Sequence, residues 1–196
     1  MKPTWMMVSL LLLLAAVTAA QMGPPPVAEQ MKKFEPMLGN WAGTGTVRMA
    51  PDAEALPWTS KSTCKRILGG HFVLEDMTIT TGPGMPPIVF RNVYTWDRVT
   101  ERYMAFKSGN NGTWAIVPMF WTADNKVVDA STMIRQGKVV TERWVSVIGD
   151  GETSFKGWET VEGGEPFMHV EGSMKRGGDG YSVTAASAKL ALAPPS

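Results

Sequence analysis

From Trp41 to Lys175, short runs rich in Val, Ile, Thr and aromatic residues alternate with turn residues, and no connection between them is long enough to hold a crossover helix. Neighbouring strands must therefore be sequential and antiparallel. Ten runs read as strands: Asn40 to Met49, Trp58 to Leu68, Phe72 to Thr81, Ile88 to Asp97, Arg102 to Ser108, Thr113 to Thr122, Lys126 to Arg135, Lys138 to Ile148, Thr153 to Val161 and Pro166 to Lys175. Gly69-Gly70, Gln136-Gly137, Asp150-Gly151 and Gly163-Gly164 have the chemistry of tight hairpin turns, where glycine supplies the positive φ that matches strand twist. Asn110-Asn111-Gly112 and Asp124-Asn125 make slightly longer turns. A ten-stranded meander left open exposes two raw edges, and closure into a barrel removes them. Eight strands already enclose room for one small ligand, so ten predict a wider lumen.

Alternation assigns the faces. In the fourth run Ile88, Phe90, Tyr94 and Trp96 oppose Arg91, Thr95 and Asp97; in the sixth, Trp114, Ile116 and Phe120 oppose Ala115, Val117, Met119 and Trp121. The sixth strand is thus apolar on both faces, as though its outer side met another element or subunit. Ahead of the strands, Val27, Met31, Phe34 and Leu38 recur at helical intervals and predict a short amphipathic helix that Pro36 ends or kinks. This helix is placed to close one end of the barrel, with Trp41 in Gly39-Asn40-Trp41-Ala42-Gly43-Thr44-Gly45 as its floor.

The predicted organisation is a signal peptide over residues 1–20, a Pro-rich tether and helix start over 21–30, a barrel domain over 31–176 and a flexible tail over 177–196. Lys2, the leucine-rich run Val8 to Val17 and the small residues Thr18-Ala19-Ala20 form the three regions of an export signal cleaved after Ala19 or Ala20. The run is short for a spanning helix, which points to a secreted or periplasmic protein with no membrane attachment once cleaved. Charge is balanced, with 19 Lys plus Arg against 18 Asp plus Glu, and no basic patch interleaved with aromatics exists, which argues against nucleic acid. Cys64 is the sole cysteine, so no intrachain disulfide forms and the thiol reads as a small buried apolar group.

Catalytic signatures are missing: no Gly-x-Ser-x-Gly elbow, no His-Glu-x-x-His, no phosphate-cradling loop. One Cys and two distant His cannot build a four-ligand structural zinc site. The adjacent Glu75 and Asp76 point to opposite faces of a strand and cannot act on one bond. Glu142 and Glu159 meet inside a barrel only in one register; otherwise they are solvated or paired with Arg91, Arg143 or Lys156. His71 sits at a glycine turn, and His169 is inward or outward according to which face of the tenth strand looks in. Seven tryptophans and eleven methionines follow the signal, enough to line a lumen for flat or apolar ligands or simply to fill it.

The motifs Met37-Leu38-Gly39-Asn40-Trp41, Ile67-Leu68-Gly69-Gly70-His71-Phe72-Val73, Val93-Tyr94-Thr95-Trp96-Asp97 with Arg102-Tyr103, and Glu171-Gly172-Ser173-Met174-Lys175-Arg176 resemble, in order and spacing, the domain of unknown function 1579 family. That resemblance implies a lipocalin-like, calycin-type β-barrel and brings no catalytic residues. Gly39-x-Trp41-x-Gly43-x-Gly45 is also similar to the opening of the nitrobindin group of haem-binding barrels, which implies His169 as an axial ligand; Val47-Arg48-Met49 stands where that group has Tyr-Pro. The expectation is an all-β, up-and-down lipocalin-like barrel: a non-catalytic binder of a small apolar or aromatic ligand held by Trp41, Phe90, Tyr94, Trp96 and Trp144, with no metal and no cofactor. The alternatives are a haem protein using His169 and an interaction protein with a filled barrel.

Overall fold

The computed structural model describes residues 25–177, apart from 83 and 136; the expected signal peptide and the tail beyond 177 lie outside the described residues. The strands are β1 (Gly39–Val47), β2 (Leu56–Ile67), β3 (Phe72–Thr81), β4 (Ile88–Asp97), β5 (Arg102–Gly109), β6 (Trp114–Ala123), β7 (Lys126–Arg135), β8 (Lys138–Ile148), β9 (Glu152–Val161) and β10 (Phe167–Gly177). Each pairs antiparallel with its neighbours in sequence, and β10 returns to pair with β1, so the sheet is a closed ten-stranded barrel. The closing ladder runs from Asn40 opposite Gly177 to Val47 opposite Val170.

The N-terminal helix forms where the apolar spacing places it, but as a 3-10 helix over Glu29–Met37. No side chain caps its start, and Pro36 lies within its last turn and lacks a donor. With about three residues per turn, Met31, Phe34 and Met37 share one face. Met31 and Phe34 are fully buried. Phe34 meets Tyr94, Tyr103 and Trp121 at ring distances of 5.8, 5.6 and 6.3 Å, and so plugs one end of the barrel. The carbonyls left free at the end of the helix are taken by barrel side chains: Trp41 Nε1 donates to Met37 O (2.7 Å) and Arg176 Nη2 to Pro36 O (2.7 Å).

Glycine matters most where the chain crowds round Trp58. The indole is almost fully buried on the inner face of β2. A β-carbon on either Gly45 or Gly172 would overlap its Cζ2, so two strands leave out side chains to make room for one. Gly172→Ala is therefore overpacked against both indole and backbone, and should cost about 1–3 kcal/mol, read as a lower urea midpoint with an unchanged slope.

Candidate functional site in the barrel lumen

The inward side chains fall into two zones. Next to the helix, Met31, Phe34, Trp41, Val73, Met119 and Met174 form an apolar floor. Three of the expected ligand-binding residues lie in it. Trp41 is buried, hydrogen-bonded to the helix and covered by the Arg176 guanidinium 5.1 Å from its ring centre. Tyr94 is buried against Phe34, and Trp96 stands edge-on to Tyr103 at 4.8 Å. The other two, Phe90 and Trp144, are half-buried on the inner wall nearer the opposite end. The structure thus divides the expected set between the floor and the open half.

Above the floor the lining turns polar. Glu75 points inward and accepts hydrogen bonds from Tyr94 Oη (2.7 Å) and Asn92 Nδ2 (2.9 Å), while Asp76 points outward to Arg91 (2.7 Å). Burial, and then the Glu75 carboxylate, push the Tyr94 phenol well above its ordinary value. Cys64 is buried beside Glu75 and its thiol is likewise pushed up, chiefly by burial. Lys107 and Asp129 form an inward ion pair at 2.7 Å. Ser60 Oγ, Ser62 Oγ, Asn92 Oδ1 and Trp58 Nε1 are buried on the same inner wall with no partner among the described residues. Buried polar atoms in native proteins are almost always hydrogen-bonded, so this wall calls for partners from water or from a guest.

At the open end β8 and β9 pair in the register that sets Glu142 opposite Glu159. The two carboxylates do meet inside the barrel, rather than lying on solvated faces. His169 joins them through a β-bulge. Phe167 pairs with Glu159 and Val170 with Gly157, both inward positions, and the pairing with β9 shifts between Met168 and Val170. A bulge re-aims the extra residue: the His169 and Val170 side chains both crowd the inner side of Gly157, whose β-carbon would lie 3.1 Å from His169 Nε2 and 2.6 Å from Val170 Cγ1. Arg48 N–H takes the His169 carbonyl (2.6 Å). The imidazole stands edge-on to Trp144 at 5.5 Å, and its Nε2 is buried without a partner among the described residues. Burial lowers its pKa below 6.5; Glu142 and Glu159 oppose that shift and Arg135 adds to it. Arg135 Nη2 reaches Glu159 Oε1 at 2.5 Å, and Trp144 Nε1 donates to Glu142 Oε2 at 3.4 Å.

At the open end Lys107 and Arg135 point inward, yet their side chains are 28% and 46% exposed. The outer wall carries features of its own. Trp114, Ile116 and Phe120 on β6 are exposed, with Phe106 of β5 stacked on Trp114, so the two-faced apolarity of the sixth strand is real and among the described residues nothing covers its outer side. A shallow, open groove of about 460 Å³ crosses the outer faces of β8, β9, β10 and β1 past Val145, Lys156, Trp158 and Glu171. It lies away from the polar lumen.

Sequence reasoning missed Ser60, Ser62, Asn92, Lys107, Asp129 and Arg135. The signal was present in β2, where Trp58, Ser60, Ser62 and Cys64 alternate with Thr59, Lys61 and Thr63: small polar residues occupy one face, which reads as inward only once Trp58 and Cys64 are known to be buried.

The fold and lumen define a lipocalin-like, closed ten-stranded β-barrel, plugged at one end and polar at the other. Residues 27–113 match the family described as protein of unknown function (DUF1579), a span that includes the first three motifs noted above. Among solved structures, the chain is similar to Rv2717c from M. tuberculosis, with TM-score 0.60, 14% identity, and 78% of this chain and 99% of that one covered. It is also similar to the S-type phycobiliprotein lyase CPES from Guillardia theta, with TM-score 0.50, 11% identity, and the same coverage of 78% and 99%. At these identities the likeness is one of fold. No curated protein matches.

The buried phenol gives a measurable alkaline limit. Below the ordinary tyrosine value of 10.0 both states hold the Tyr94 proton; above it the unfolded chain releases the proton first, so stability falls as pH rises. Unfolding free energies measured between pH 8 and about pH 11 should drop more steeply for the wild type than for Tyr94→Phe.

Proposed function

We propose that this chain is an exported, non-catalytic binder that holds a small aromatic molecule in the open half of its barrel. The observation that carries the reading is the contrast between the two ends. Phe34 and its aromatic neighbours seal one, whereas inward-pointing Lys107 and Arg135 remain open to solvent at the other. Between them Phe90, Trp144 and Phe155 offer flat apolar surface, and Trp144 lies under the Lys107 ammonium at 5.7 Å. Orphaned donors and acceptors on β2 and β4 would read the polar edge of the guest. A phycobiliprotein lyase shares the barrel, so this fold also serves catalytic proteins; the non-catalytic reading rests on the lack of any catalytic signature in the sequence. Export rests on the N-terminal charge, apolar run and small-residue sequence, and N-terminal sequencing of the protein from its host should begin at Ala20 or Gln21.

A second reading has one observation in its favour: the bulge turns His169 inward with Nε2 free of partners among the described residues, as an axial haem ligand requires. Against the fit, Glu142 and Glu159 crowd the same imidazole, and a porphyrin face would have to desolvate both.

One titration series separates these readings. With 8-anilinonaphthalene-1-sulfonate as probe, Trp144→Ala or Phe90→Ala should weaken binding by about tenfold or more, the loss of one buried aromatic contact. Trp114→Ala, on the outer wall, should leave it unchanged. Equal loss with Trp114→Ala, or no loss with the two lumen variants, would overturn the lumen reading. With haem as ligand, a stoichiometric Soret band that disappears in His169→Ala would establish the second reading, and no band would remove it.

A further inference from the structure

We propose that Glu142, Glu159 and His169 form a three-ligand site for a first-row divalent cation in the open half of the barrel. One ligand atom from each of the three lies within 4.8 Å of the others. An ion with metal–ligand bonds of about 2.0–2.2 Å spaces its donors roughly 3.4 Å apart, so side-chain rotation of the two glutamates closes the set without moving the strands. Three rigid elements supply it: β8 and β9 through direct pairing of Glu142 with Glu159, and β10 through the bulge at His169. Two carboxylates and an imidazole suit zinc, iron or manganese better than calcium or magnesium, which favour oxygen donors alone.

The surroundings fit a metal better than an ordinary ion-pair cluster. Glu159 is 5% exposed, and its one cationic partner among the described residues is Arg135, whose side chain is nearly half exposed and can swing out to solvent. With two carboxylates and one guanidinium the cluster carries an excess negative charge. The Trp144 indole donates to Glu142 and lies against the His169 ring, and outer contacts of this kind orient metal ligands. Among the described residues the buried Nε2 has no other partner. Three protein ligands leave positions open toward the mouth, so a bound ion could take up water or a carboxylate-bearing small molecule from the lumen. Arg135 competes with the cation for Glu159, and it should act as a brake on binding rather than as part of the site.

Metal binding here stands apart from the aromatic-ligand reading, because the cluster needs no organic guest. The test uses the full mature chain, without an affinity tag, stripped with a chelator and titrated calorimetrically with Zn2+ in the absence of organic ligand. One ion per chain is expected. His169→Ala and Glu142→Gln should each weaken binding by tenfold or more, Arg135→Gln should tighten it, and Glu171→Gln on the outer wall should leave it unchanged. Loading with Co2+ should give visible d–d bands that shift in His169→Ala, a signature that a purely structural histidine would not show. Binding absent from the wild type, or equal in the wild type, His169→Ala and Glu142→Gln, would overturn the site. Circular dichroism of each variant guards against loss through unfolding; should His169→Ala fail to fold, Glu142→Gln, whose carboxylate has no ion-pair partner among the described residues, decides. A wild-type chain that binds Zn2+ but no anilinonaphthalene sulfonate would reject the aromatic-ligand reading alone, and one that binds the probe but no Zn2+ would reject the metal site alone.

Discussion

The pairing of β1 with β10 is the constraint on which the rest of the molecule depends. Without it the meander has two edges of unpaired backbone, and the apolar floor has no enclosing wall. With it, β10 must satisfy β1 and β9 at once. Eight residues of β10 align with β1 without interruption, while its pairing with β9 absorbs one extra residue between Met168 and Val170. That extra residue is His169. Strict alternation from inward Val170, Gly172 and Met174 would send it outward; the bulge sends it in. The irregularity that reconciles β10 with both neighbours is thus also what brings an imidazole to two carboxylates.

The two zones of the lumen have different energetic tasks. The floor is ordinary close packing, with large apolar groups in contact and the helix supplying Phe34 and Met31 to complete it. The open half keeps Glu75, Asp129 and Glu159 in low-exposure positions, where an unpaired carboxylate costs several kcal/mol. Each is compensated: Glu75 by Tyr94 and Asn92, Asp129 by Lys107, Glu159 by Arg135. Apolar residues of like volume often do as well or better for stability. Packing alone therefore gives no reason for this chain to hold three acids inside a barrel; the proposed ligand and metal binding would supply one.

Most of the fold was legible because it is written in local chemistry. Turn glycines and period-two alternation located all ten strands to within a few residues, and the absence of room for a crossover dictated their order. Met31 and Phe34 marked the plug, although the short uncapped segment with Pro36 formed the tighter 3-10 helix. The site was less legible, for a specific reason. Glu142 and Glu159 are 17 positions apart and meet through register, and His169 turns inward through a bulge, and neither register nor bulge leaves a mark in single-residue patterns. Aromatic content drew attention to Trp41, Tyr94 and Trp96, which prove to belong with the floor; the inward polar residues carried no comparable compositional signal.

This division of labour bears on how far structure can be carried over from the barrel's relatives. Rv2717c and the phycobiliprotein lyase share the fold over 78% of this chain at only 14% and 11% identity. A closed ladder of backbone hydrogen bonds depends little on side-chain identity, and an apolar floor tolerates many substitutions of similar volume. The open half tolerates far fewer, since each inward charge there needs its own partner at hydrogen-bond distance. Architecture can therefore persist while the lumen changes from one protein to another, and the function of this chain must be argued from Glu142, Glu159, His169 and the wall facing them rather than from the barrel that holds them.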